Sequence, residues 1–260
     1  MMRTSNPALN ANVFAKAQSF GSGAVMTLQG TVNKCFILLG ILVVSASWVW
    51  GKAVQPAPIF EGVEGASGGI SPAIGAFVAV GLIGGFITAI ITIFKKQWAG
   101  ITAPVYAFFE GLLLGGISAI FELQYPGIVM QAVSLTFGTL FCLLAAYKSG
   151  LIKVTENFKL GVVAATGAIC MIYFVNIIMG FFGASIPMIH SSGLMGIGFS
   201  LFVVAIASMN LVLDFDFIEK GASMGVPKYM EWYGAFGLLV TLVWLYLEML
   251  RLLSKLANRR

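Results

Sequence analysis

Charge is what this chain of 260 residues has least of: Asp, Glu, Lys and Arg together make up 10% of it, against about 25% in soluble domains. Histidine occurs once, at His190, so imidazole-based metal sites and histidine-dependent catalysis have no material to work with. The three cysteines, Cys35, Cys142 and Cys170, stand alone in apolar runs, which excludes a disulfide framework or a zinc knuckle. Neither Gly-x-Ser-x-Gly nor His-Glu-x-x-His is present, so the common hydrolase constellations are missing and no enzyme is expected. Basic residues do not alternate with aromatics on a polar surface, which argues against nucleic-acid binding. No basic segment leads into an apolar stretch and a small-residue cleavage site, so the first span is expected to direct insertion itself.

Apolar residues fill the space that charge leaves. They make up 59% of the chain, too large a share for one soluble domain to bury. The reading is an all-α integral membrane protein, a seven-helix bundle whose principal partner is the lipid bilayer. The apolar runs are Cys35–Gly51, Pro72–Phe94, Ile101–Phe121, Ile128–Tyr147, Leu160–Gly183, Gly193–Leu213 and Tyr229–Leu253. Each approaches the ~20 residues that cross a bilayer. Breakers such as Tyr125-Pro126-Gly127 and Gly225-Val226-Pro227 separate them. The organisation is thus a polar N-terminal segment at 1–33, a seven-helix membrane domain at 34–254 and a basic tail at 255–260.

Lys95, Lys96, Lys148, Lys153, Lys159, Lys220 and Lys228 fall on the side of the N-terminus, whereas Lys52 is alone on the other side through the first six spans. The positive-inside rule then puts the N-terminus in the cytoplasm. Seven crossings place Arg251, Lys255, Arg259 and Arg260 on the opposite side, against the rule. Gly81 with Gly85, and Gly111 with Gly115, have the small-xxx-small spacing of close helix packing, continued by Thr88, Thr92 and Ser118.

Carboxylates inside such spans are the candidate functional groups, because an ionised acid in hydrocarbon is costly. On a helix of 3.6 residues per turn, Gly193, Gly196, Ser200, Ala207, Asn210 and Asp214 share one small or polar stripe. Asp216 is about 200° away from Asp214. Both could instead mark a helix end. In the last span Glu231, Gly234, Leu238, Thr241, Leu245 and Glu248 line up, with Lys228 and Arg251 as possible ion-pair partners for Glu231 and Glu248 on the same helix. Glu110, mid-span with Tyr106 one turn before it, must be protonated or face a wet cavity. Tyr173 and Asn176 are candidates to hydrogen-bond into the same interior.

The opening Met2-Arg3-Thr4-Ser5-Asn6-Pro7-Ala8-Leu9, the third-span Phe108-Phe109-Glu110-Gly111-Leu112-Leu113-Leu114-Gly115 and the block from Asn210 to Arg251 resemble a bacterial member of the Bax inhibitor-1 family, the transmembrane Bax-inhibitor-motif proteins. The resemblance spans all seven helices. It implies a central seventh helix ringed by the others, a location in the bacterial inner membrane, and a pH-sensitive calcium leak in which a sixth-span aspartate shares a proton with a seventh-span one. Asp214 matches the first aspartate, with Asp216 one alternative. The second falls near Thr241, where this chain departs from the pattern, leaving Glu231, Glu110 or Glu248 to substitute. Calcium enters as a permeant ion near Asp214 and Glu110, and no cofactor is implied. Some bacterial relatives are associated with a membrane protease, so a non-transporting regulator is the competing reading. A proton-coupled transporter would need repeated halves, and none is evident. The oligomeric state is open.

Overall fold

The computed structural model describes residues 24–53, 72–184 and 186–259. Its helices are α1 (Leu28–Ala53), α2 (Pro72–Phe94), α3 (Ala99–Gln124), α4 (Ile128–Lys148), α5 (Glu156–Phe181), α6 (Leu194–Ser223) and α7 (Met230–Ala257). A 3-10 turn at Lys96–Trp98 joins α2 to α3, and a four-residue helical turn, Pro187–His190, precedes α6. By length and composition seven helices can cross a membrane, among the described residues. The chain is a seven-helix membrane bundle.

Turn chemistry sets several of the boundaries. Gly127 takes the left-handed conformation (φ 84°) before α4, which a residue with a Cβ resists. Glu122 spans that turn, accepting from the Gly127 N–H at 2.7 Å and the Val129 N–H at 3.2 Å. Thr155 caps α5 by accepting from Phe158 N at 3.2 Å. α1 begins at Leu28, seven residues ahead of the apolar run that starts at Cys35. The polar turns before Cys35 are helical because Ala24–Thr27 is clasped to the α6–α7 connection. Met26 N donates to Val226 O at 2.7 Å and Lys228 N to Ala24 O at 2.9 Å, as a short antiparallel bridge. Residues 1–23, the bulk of the expected polar segment, lie outside the described residues.

Burial divides the helices into two groups. Of the most apolar stretch of each, 67% is buried in α7, 61% in α3 and 56% in α6, but only 17% in α1, α2 and α5. α7 is the central helix, packed against α6, α1, α4 and α3. α2 stands on the outside of α3 and α5 on the outside of α6. Glycines bring the helices together as their spacing predicts. A Cβ on Gly111 would lie 1.8 Å from Ser45 Oγ, and one on Gly115 2.6 Å from Ala46 O, both of α1. Gly81 meets the α3 backbone at Phe109 O, 2.7 Å from its would-be Cβ. Hydroxyls then bridge helices: Thr92 to Thr102 at 2.8 Å, and Ser118 to Tyr246 at 2.6 Å. Thr88 instead turns back onto Gly84 O of its own helix.

Candidate ion-pathway carboxylates

The polar stripe read along α6 is buried from Gly196 onward, while Gly193, at the N-cap, is exposed. Gly196, Ser200, Ala207, Asn210 and Asp214 are all enclosed, and Asp214 has no exposed surface. Val212 and Leu213, off the stripe, are buried as well, because this third of α6 is covered on more than one face. Asn210 ties the helix to α5, donating through Nδ2 to Thr166 Oγ1 at 2.8 Å and to Ile206 O at 2.9 Å.

The contacts of Gly234 locate the layer of the bundle one turn from Asp214. At the outer layer a Cβ on Gly234 of α7 would touch Ile218 of α6 at 3.3 Å, with Met26 and Thr31 each at 3.6 Å. One turn inward on each helix come Asp214, Cys35 of α1 and Leu238 of α7. Thr241 lies a turn deeper, 3% exposed, with its hydroxyl donated back to Gly237 O at 3.3 Å. Met26, 2% exposed, sits over this compartment from the N-terminal side.

The remaining acids occupy other places. Asp216 turns away from Asp214 and is held by Lys220 at 2.6 Å and Lys159 at 3.5 Å. Lys159 also reaches Glu156 at 2.8 Å, and Tyr147 donates to Glu219, so the ends of α4, α5 and α6 are laced together on the N-terminal face. Glu231 is paired across the bundle and not, as the i, i+3 spacing suggested, with Lys228. Lys34 of α1 meets its Oε2 at 2.6 Å, while Thr27 donates its N–H and its hydroxyl to Oε1, each at 3.0 Å. The clasp of residues 24–27 brings Lys34 there, and Lys228 is left exposed.

Glu248 keeps its expected partner, Arg251, at 2.7 Å. Tyr173 adds a hydroxyl at 2.9 Å and itself accepts from Arg251 at 2.5 Å. Tyr173 therefore serves the end of α7 and not the surroundings of Glu110, and Asn176 accepts from Ile186 N at 3.0 Å. Glu110 faces α2: its Oε2 is 3.1 Å from where a Cβ on Gly85 would stand, with Tyr106 in reach. Lys255, assigned from the sequence to a basic tail, ends α7 as a buried group donating to Gly196 O at 2.9 Å and Ser200 Oγ at 2.8 Å. Its spacing of seven from Glu248 was a legible sign that both share a face.

Of the acids, Asp216, Glu231 and Glu248 are accounted for by basic partners. Asp214 and Glu110 lie on different helices, with Asp214 showing no exposed surface and Glu110 8%. Among the described residues no group of three or more His, Cys, Asp or Glu side chains is arranged to hold a metal ion.

Comparisons with curated proteins and with solved structures gave no match. A family model, described as Bax inhibitor 1 like, matches residues 6–258. With nearly the whole chain matched and seven helices long and apolar enough to cross a membrane, the protein belongs to the Bax inhibitor 1 like family.

Proposed function

We propose that the chain is a pH-sensitive cation leak that passes calcium, closed when Asp214 is protonated. The observation that supports this reading is the complete burial of Asp214 within the bundle, on the stripe of α6 that carries Ser200, Ala207 and Asn210. Protonated, Asp214 is a neutral group that tolerates apolar packing. Ionised, it attracts water and cations, and carboxylate oxygen suits a hard ion such as Ca²⁺. Rising pH therefore opens the path and falling pH closes it.

Thr241 occupies the α7 position where the family resemblance places a second aspartate, so the gate we propose has one titrating group. Two strongly coupled carboxylates would release protons in two macroscopic steps, so the flux of this protein should rise with pH as a single-proton curve. The Lys and Arg distribution supports a cytoplasmic N-terminal face, which makes Met26 and the Glu231 clasp the cytoplasmic closure.

Calcium entry into dye-loaded proteoliposomes tests the reading. Asp214→Asn should abolish the response to pH, and Glu110→Gln, on the α2–α3 interface, should leave it in place. No flux above protein-free vesicles, together with capture of a membrane protease, would make the chain a regulator instead.

A further inference from the structure

α1 packs on α3 and α7, and α4 packs on α7 and α6. Between α1 and α4 a slot remains, a cavity of about 470 Å³ floored by Leu239, Leu242 and Tyr246 of α7. Its walls are apolar, with Leu39 and Val43 on one side and Val133 and Phe137 on the other. Val43 and Met130 line the slot and are themselves 51% and 70% exposed, so it opens through the side of the bundle at the depth of the hydrocarbon. Four polar side chains of the lining are engaged within the protein. Ser118 and Tyr246 share a hydrogen bond, Glu122 holds Gly127 and Val129, and Thr136 is turned onto Ala132 O.

An apolar cavity of this kind does not fill with water, and left empty it forfeits dispersion contacts along its whole length. A helix is too thick for it: at a diameter of about 10 Å, a volume of 470 Å³ holds roughly one turn. An alkyl chain, about 4 Å across by carbon contact distance, fits. Glu122 lies in the last turn of α3 and Trp50 in the last turn of α1, so both mark the end of the slot away from the N-terminal face. An aromatic ring at that level is typical of the headgroup region. Lys52, exposed two residues beyond Trp50, supplies a positive charge there.

We infer that this slot is a binding site for one acyl chain of an anionic phospholipid, its phosphate near Lys52 and its tail running along α7 between α1 and α4. The site is separate from Asp214 and stands whether or not the protein conducts ions.

Full-length protein in detergent is photolysed with phosphatidylglycerol carrying a diazirine in its sn-2 chain, and the labelled peptides are mapped by mass spectrometry. Saturable labelling concentrated on the slot-lining parts of α1 and α4 is expected. Val133→Trp, which fills the slot, should weaken that labelling about tenfold, with Leu39→Trp as the second filling variant should the first not fold. Val44→Trp, on the outer face of α1, should not change it. The inference is overturned by equal labelling of α2 and α5, or by labelling that folded filling variants do not reduce. It is also overturned if the slot is labelled only after deletion of residues 1–23, or if α1–α4 crosslinks between two copies replace the label.

Discussion

Removing the Glu231 carboxylate is the most informative structural perturbation, because three donors from the start of α1 converge on it. Glu231 is 1% exposed and accepts from Lys34 at 2.6 Å and twice from Thr27 at 3.0 Å. Deleting one member of a fully buried pair costs about 3–5 kcal/mol, because the other charge is stranded. The Lys34 side chain keeps 18% of its surface exposed and can swing to water, which lowers the cost to about 2 kcal/mol, that of a hydrogen bond to a charged group. For a chain of this size that corresponds to roughly 4–8 °C in melting temperature. Glu231→Ala should produce a shift of this order in a thermal melt of the detergent-solubilised protein, Lys34→Met at least as large a one because it strands the buried Glu231 carboxylate, and the double variant should lose less than their sum. Lys228→Met, three residues from Glu231 but exposed, should melt like the parent. If Lys228→Met costs as much as Lys34→Met, or if the two losses at Glu231 and Lys34 simply add, the cross-bundle clasp is wrong.

Gly111→Ala, whose Cβ would meet Ser45 Oγ at 1.8 Å, should destabilise by about 1–3 kcal/mol through overpacking. Gly138→Ala, with open space around its Cβ, should be neutral or stabilising by up to ~1 kcal/mol; thermal melts of the pair decide. Tyr246→Phe strands the buried Ser118 hydroxyl and should cost about 1–3 kcal/mol, with Ser118→Ala in the same background costing little more, as read by the same melts. Met26→Ala removes the side chain over Asp214 and should raise calcium flux at acidic pH, measured in proteoliposomes; unchanged flux would mean that Met26 does not close the path.

How much of this was legible in the sequence differs from feature to feature. The helices were readable because ~20 apolar residues in a row have few alternatives. Gly81, Gly111 and Gly115 packed as their spacing required, since a missing Cβ acts locally. The Asp214 stripe was readable from 3.6-residue periodicity, and so was the turning away of Asp216. Partners across the bundle were not. Lys34 is 197 residues from Glu231, and nothing along either helix distinguishes it from Lys228, the nearer candidate by sequence. Tyr173 was misassigned to the neighbourhood of Glu110 for the same reason: depth along a helix says which layer a side chain reaches, not which neighbour stands there. The slot between α1 and α4 exists because those two helices lean on others, which no local pattern encodes.

The central claim is that one carboxylate, Asp214, sets the pH response. Calcium flux into proteoliposomes measured from acidic to alkaline pH, for the parent, Asp214→Asn and the ion-paired Asp216→Asn, tests it most directly. Parent and Asp216→Asn should rise together as single-proton curves, and Asp214→Asn should be flat. A curve for Asp214→Asn that still tracks the parent would contradict the account.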